Sequence, residues 1–178
     1  QSGSTLYMIN HGFSTAALFL IGGFLISRRG SRMIEDFGGV QKVAPVLAGT
    51  FLVAGLSSLA LPGLSSFVSE FLVLVGTFER YTWAGIIATL GIVLTALYIL
   101  LMYQRTMTGP KPSFADGETP HDLSIREKVV VVPIIASFVL LGFFPKPVLD
   151  LLNPAVDRTL VFVGVTDPNP TNASGSAK

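Results

Sequence analysis

Four long apolar stretches run through this 178-residue chain, at residues 6–26, 44–78, 83–103 and 129–144, and they leave few folds open. A hydrocarbon core ~30 Å thick takes about 20 apolar residues of helix to cross. Half of the residues are hydrophobic, 13% are charged and the mean hydropathy is +0.64, all far from the usual soluble domain. The fourth stretch, "VVVVPIIASFVLLGFF", is rich in β-branched residues, so a buried strand has to be considered. Its length argues against a strand, and the period-two alternation of a membrane barrel is absent. The expected fold is all-α: a polytopic transmembrane helix bundle with about four crossings.

Residues 44–78 are too many for one straight crossing, and they contain Pro62-Gly63. Proline lacks the amide hydrogen a helix interior needs, and glycine tolerates conformations other residues resist. The expectation is one discontinuous helix, broken near 61–66. Counting it as a single crossing puts the loops 28–43 and 104–128 on one face with eight basic residues, Arg28, Arg29, Arg32, Lys42, Arg105, Lys111, Arg126 and Lys128. Arg80, Lys146, Arg158 and Lys178 fall on the other face. This bias reads the two long loops as cytoplasmic and the tail as lying opposite.

Inside a bilayer, irregular backbone survives only where protein or a wet cavity surrounds it. Ser57, Ser58, Ser65, Ser66 and Ser69 cluster around the expected break, where hydroxyls can satisfy freed backbone groups or line a water path. Helix packing by small residues accounts for part of that cluster. Glu70 follows, about one turn into the second half-helix. The helix N-terminus favours its charged form and burial favours the neutral acid, so its protonation responds to nearby charge. Ionisable groups at membrane depth point to function, and the competing reading is a fixed ion pair with a neighbouring helix. His11 is the second candidate relay, because imidazole titrates near neutrality and can pass a proton through either nitrogen. Asn10, Ser14 and Thr15 add polarity beside it, as a stripe facing a channel would. Arg126, Glu127 and Lys128 read as snorkelling or loop charges at a helix entrance.

The exclusions are equally informative. With no cysteine, the chain forms no disulfide, thiolate metal site or iron–sulfur ligand set of its own. Two distant histidines make no metal constellation, no phosphate-binding loop is present, no catalytic nucleophile is supported, and a net charge of +1 argues against nucleic acid. No signal-peptide pattern precedes the first span, and the chain reads as a portion of something longer. Residues 1–152 are assigned to the membrane helices. In 153–178, "NPAVDRTLVFVG" continues an amphipathic interfacial segment from Lys146 and leads into a small-residue tail expected to be disordered.

"MINHGFSTAALFLIGG", the "MIEDFGG" loop and "LALPGLSSFVSEFLVLVGTF" occur in this order. With them the chain resembles, from about Leu6 to Leu152, the C-terminal part of the M-type antiporter-like membrane subunits of proton-pumping NADH:quinone oxidoreductase. Mitochondrial subunit 4 belongs to the same family. The resemblance implies that His11 and Glu70 are proton-relay residues beside a discontinuous helix. It further implies a bacterial inner membrane, neighbouring antiporter-like subunits as partners, and NADH, FMN, iron–sulfur clusters and quinone carried by other subunits. The family's central lysines and an earlier glutamate match nothing in this chain, so it holds only part of a proton path. The nearest alternative is the D-type subunit of multisubunit cation/proton antiporters; a purely structural membrane-arm segment is the other.

Overall fold

The computed structural model describes residues 1–110 and 121–164. The tail expected to be disordered, residues 166–178, and residues 111–120 of the loop around Lys111 lie outside the described residues. The described residues are mainly helical, with no strand among them.

Helix α1, Ser2–Arg29, is 28 residues long and stops at Gly30, whose φ of 70° lets the chain turn out of the helix. Two short 3-10 turns, Ile34–Asp36 and Val40–Lys42, then lead to α2, Pro45–Ser58. Proline at the first position of α2 gives up only an amide that would have been unpaired. The break follows, and α3 runs Ser65–Arg80. A single residue, Tyr81, separates α3 from α4, Thr82–Met107. The turn is tight because Gly85 lies against Phe78, where an added Cβ would come within 2.9 Å of the Phe78 Cα. Helix α5, Ile125–Phe143, begins with a capping box: Ser124 accepts from the Glu127 amide at 3.3 Å while the Glu127 carboxylate accepts from the Ser124 amide at 2.7 Å. After a 75° bend comes α6, Lys146–Val163, which packs against α1 with Val156 and Leu160 buried and continues across residue 152.

Helices α1 and α4 are each long and apolar enough to cross a membrane, and counting bent helix pairs as single spans gives up to four crossings. Helices α2 and α3, of 14 and 16 residues, are individually short. They line up end to end along α1. Ala17, Ile21 and Leu25 of α1 share a buried core with Leu47, Ala48 and Phe51 of α2. At the other end of α1, Gly3 meets Leu72 of α3, with room for no side chain between them. The discontinuous helix expected from Pro62-Gly63 is therefore present, with its irregular stretch at residues 59–64, two residues upstream of the expected position. The chain is a multi-pass membrane protein. Most of α4 is exposed apolar surface, including Ile87, Leu90, Val93, Leu94 and Leu97, as a membrane-crossing helix that is hydrophobic all round presents.

Candidate functional site

The break is strained as well as irregular. Ala60 sits at φ 54°, a left-handed conformation that costs a non-glycine residue about 1–2 kcal/mol, and Gly63 sits at φ 91°. Helix α5 closes over this backbone. A Cβ on Gly142 would collide with the Gly63 carbonyl and come within 2.9 Å of the Leu64 carbonyl carbon, so only a glycine lets the helix come this close. Pro62 itself is exposed.

Four of the five serines around the break, Ser57, Ser65, Ser66 and Ser69, are buried. The Ser57 and Ser65 hydroxyls face each other across the break at 3.3 Å. Ser69 donates to the Ser66 carbonyl at 3.0 Å. From α1, the Asn10 side-chain amide donates to the Ser65 carbonyl at 2.6 Å and to the Ser69 hydroxyl at 3.0 Å. This pins α1 to the first turn of α3 through the Ser65 carbonyl and the Ser69 hydroxyl. Ser58 takes no part: its hydroxyl donates back to the Ala54 carbonyl of its own helix at 3.1 Å.

Glu70 is half-buried, directly after Ser69, and among the described residues it makes neither a hydrogen bond nor an ion pair. The fixed ion pair weighed in its case thus has no partner among them. The Tyr7 hydroxyl lies within electrostatic range of Glu70 and Tyr98, and the Tyr7 ring stacks on His11 with centroids 5.7 Å apart. Sequence reasoning passed over Tyr7; its spacing of four residues from His11 was the available signal.

The polar stripe of α1 divides in two. Asn10 and Ser14, one turn apart, are both buried, whereas His11 is exposed. Successive helical residues lie about 100° apart, so when Asn10 faces α3 its neighbour His11 turns away. Ser14 donates to the His11 carbonyl at 3.1 Å, and the Thr15 hydroxyl lies 3.4 Å from His11 Nε2. Among the described residues, the Tyr7 ring stacks on His11 on the face of α1 that turns away from Asn10.

The other end of the bundle holds a charge cluster that sequence reasoning read as loop charges. Arg28 forms a two-pronged ion pair with Glu127, at 2.9 and 2.6 Å, and donates also to the carbonyls of His121 and Phe24. The Asp122 carboxylate caps α2 from across the fold, accepting from the amides of Val46 at 2.8 Å and Leu47 at 2.9 Å as well as from Leu123. Arg28 holds the Glu127 carboxyl down at about 2, well below its ordinary 4.5, against the opposing effect of burial. Burial also opposes ionisation of Asp122, but the three amides outweigh it and keep the acid below its usual range. Among the described residues no cluster of histidine and acidic groups could hold a metal.

The described residues thus form a membrane helix bundle with one broken helix, a hydrogen-bonded polar seam at the break and, beside it, a carboxylate that has no hydrogen bond or ion pair among them. The family profile described as "NADH:quinone oxidoreductase/Mrp antiporter, TM" matches residues 1–95, and the chain belongs to that family. It is 59% identical over 174 residues to NADH-quinone oxidoreductase subunit M of Mycobacterium tuberculosis, covering 97% of this chain and 31% of that protein. NADH-ubiquinone oxidoreductase chain 4 of Arabidopsis thaliana is 37% identical, over 88% of this chain and 31% of its own length. Among solved structures, a chain of respiratory complex I from Thermus thermophilus with bound NADH superposes with a TM-score of 0.83 at 29% identity, covering 92% of this chain and 34% of that one. The chain therefore spans about a third of the length of the relatives it matches.

Proposed function

We propose that this chain is the C-terminal part of a membrane-arm subunit of proton-pumping NADH:quinone oxidoreductase and carries one segment of a proton path coupled to NADH oxidation and quinone reduction. The observation that carries the reading is Glu70: a half-buried carboxylate, without a hydrogen bond or ion pair among the described residues, one turn past a hydrogen-bonded helix break in a membrane bundle. Glu70 binds and releases a proton as the charge around it changes, and the Ser57–Ser65 pair and Ser69 form the polar seam beside it. His11 exchanges protons on the outward face of α1, with Tyr7 between it and Glu70. The earlier relay groups belong to parts of the longer subunit, and NADH, FMN, the iron–sulfur clusters and quinone to other subunits. The partners are neighbouring antiporter-like subunits. The setting is the bacterial inner membrane, with loops 28–43 and 104–128 cytoplasmic and the tail on the opposite face. The cation-antiporter reading is not preferred, because the relatives that match most of this chain carry the oxidoreductase name.

The test is Glu70→Gln in the full-length subunit, with NADH-driven proton uptake measured in membrane vesicles beside an assembly check. Lost uptake with intact assembly is expected. Normal uptake would leave Glu70 a structural polar group and remove the reading's main support.

A further inference from the structure

Asn10 has a feature that clasping the break does not use. Its side chain is 0% exposed. The Ser65 carbonyl can only accept a hydrogen bond, so the end of the carboxamide facing it must be the NH2. That orientation leaves Asn10 Oδ1 buried and without a donor among the described residues. A buried acceptor in this condition costs free energy unless something donates to it.

A complementary mismatch lies beside it. Ser57 and Ser65 share one hydrogen bond, which uses one of their two hydroxyl protons. The second proton has no acceptor among the described residues. The two ends of a carboxamide are separated by a single carbon, so the unmatched oxygen of Asn10 lies close to the Ser65 backbone carbonyl that its nitrogen contacts, on the residue whose hydroxyl pairs with Ser57. The break therefore holds one acceptor lacking a donor and one donor lacking an acceptor. Water both donates and accepts, and buried water is the usual companion of such groups.

We propose that the break binds an ordered water between Asn10 Oδ1 and the Ser57–Ser65 hydroxyl pair, and that Asn10 is a positioning residue that fixes this water's orientation. The water donates one hydrogen to Oδ1 and accepts the free serine proton. Its remaining hydrogen and lone pair point along the break, where a proton can be handed on. A neutral carboxamide carries no extra proton itself, so its contribution is direction. The part concerning proton transfer rests on the function proposed above; the water site stands on the geometry alone.

The experiment is a structure of the assembled complex at a resolution that shows waters, for the wild type, Asn10→Leu and Ser57→Ala, with proton uptake per NADH measured on the same preparations. Ser57→Ala leaves the clasp from Asn10 to Ser65 intact, so it reports on the water even if Asn10→Leu fails to assemble. The expected result is water density about 2.8 Å from Asn10 Oδ1 in the wild type. Its loss in Ser57→Ala should lower the uptake rate by about threefold or more, the scale of one water-mediated hydrogen bond. A protein donor on Oδ1, or a dry site in the wild type, would overturn the water site. Unchanged uptake after the water is lost would overturn the positioning role. Glu70→Gln measured alongside separates these failures from failure of the functional reading, since normal uptake in that variant leaves the water density untouched.

Discussion

The two ends of α1 solve the same problem in opposite ways. At Arg28, a charged group near the membrane edge is surrounded by the Glu127 carboxylate and three backbone carbonyls, while Asp122 next to it satisfies the first amides of α2. At Asn10, eighteen residues and about 27 Å away along the helix, the polar groups are only partly matched and Glu70 has no hydrogen bond or ion pair among the described residues. A fully satisfied polar network holds one arrangement rigidly, whereas an incompletely satisfied one keeps donors and acceptors free to change partners. The same helix thus carries a fully paired anchor at one end and an incompletely paired polar site at the other, the one to which proton exchange is assigned in the function proposed.

The sharpest way to break this contrast is Arg28→Ala, which strands Glu127 and the carbonyls that Arg28 serves. Loss of one partner from a largely buried pair should cost about 3 kcal/mol, read as a lower unfolding temperature in detergent. An unchanged midpoint would mean that the anchor is ornamental. Acid should loosen the same end more gently. Because the folded Glu127 pKa lies below its unfolded value, its stabilisation is complete above 4.5 and drains away as the pH falls towards about 2. Asp122, also depressed, acts with the same sign. Amide exchange at Val46 and Leu47, corrected for the intrinsic pH dependence, should therefore show less protection at pH 3 than at pH 7. At the other end, Gly142→Ala pushes a methyl group into the Gly63 carbonyl, with an expected cost of about 1–3 kcal/mol and a fall in proton uptake. Asp122→Ala uncaps α2 and should cost about 1 kcal/mol with uptake per assembled complex preserved. Ser58→Ala, which removes only a bond within its own helix, should stay within about 0.5 kcal/mol of wild type and provides the baseline.

Much of this architecture can be read locally. The apolar runs give the helices, and the break follows from Pro62-Gly63 because the cause is the chemistry of those two residues. The choice among polar neighbours cannot be read that way. Asn10, His11, Ser14 and Thr15 form one polar patch in sequence, and which of them faces inward depends on where α3 lies. The pairings Arg28 with Glu127 and Asp122 with the amides of α2 join residues 99, 76 and 75 positions apart, and no periodicity encodes such distances. The exposed position of His11 follows from the same fact, since a helix presents its faces only in relation to its neighbours.

The separation between Arg28 and Glu127 also imposes an order in time. During synthesis at about 5–20 residues per second, α1 is complete some 5–20 s before its acidic partner leaves the ribosome. For that interval the guanidinium lacks Glu127 and the His121 and Asp122 carbonyls, which favours a place in water or among lipid headgroups while α2, α3 and α4 are made. Arrival of α5 would then convert a provisional position into a permanent one, so this ion pair can form only after α2, α3 and α4 have been made.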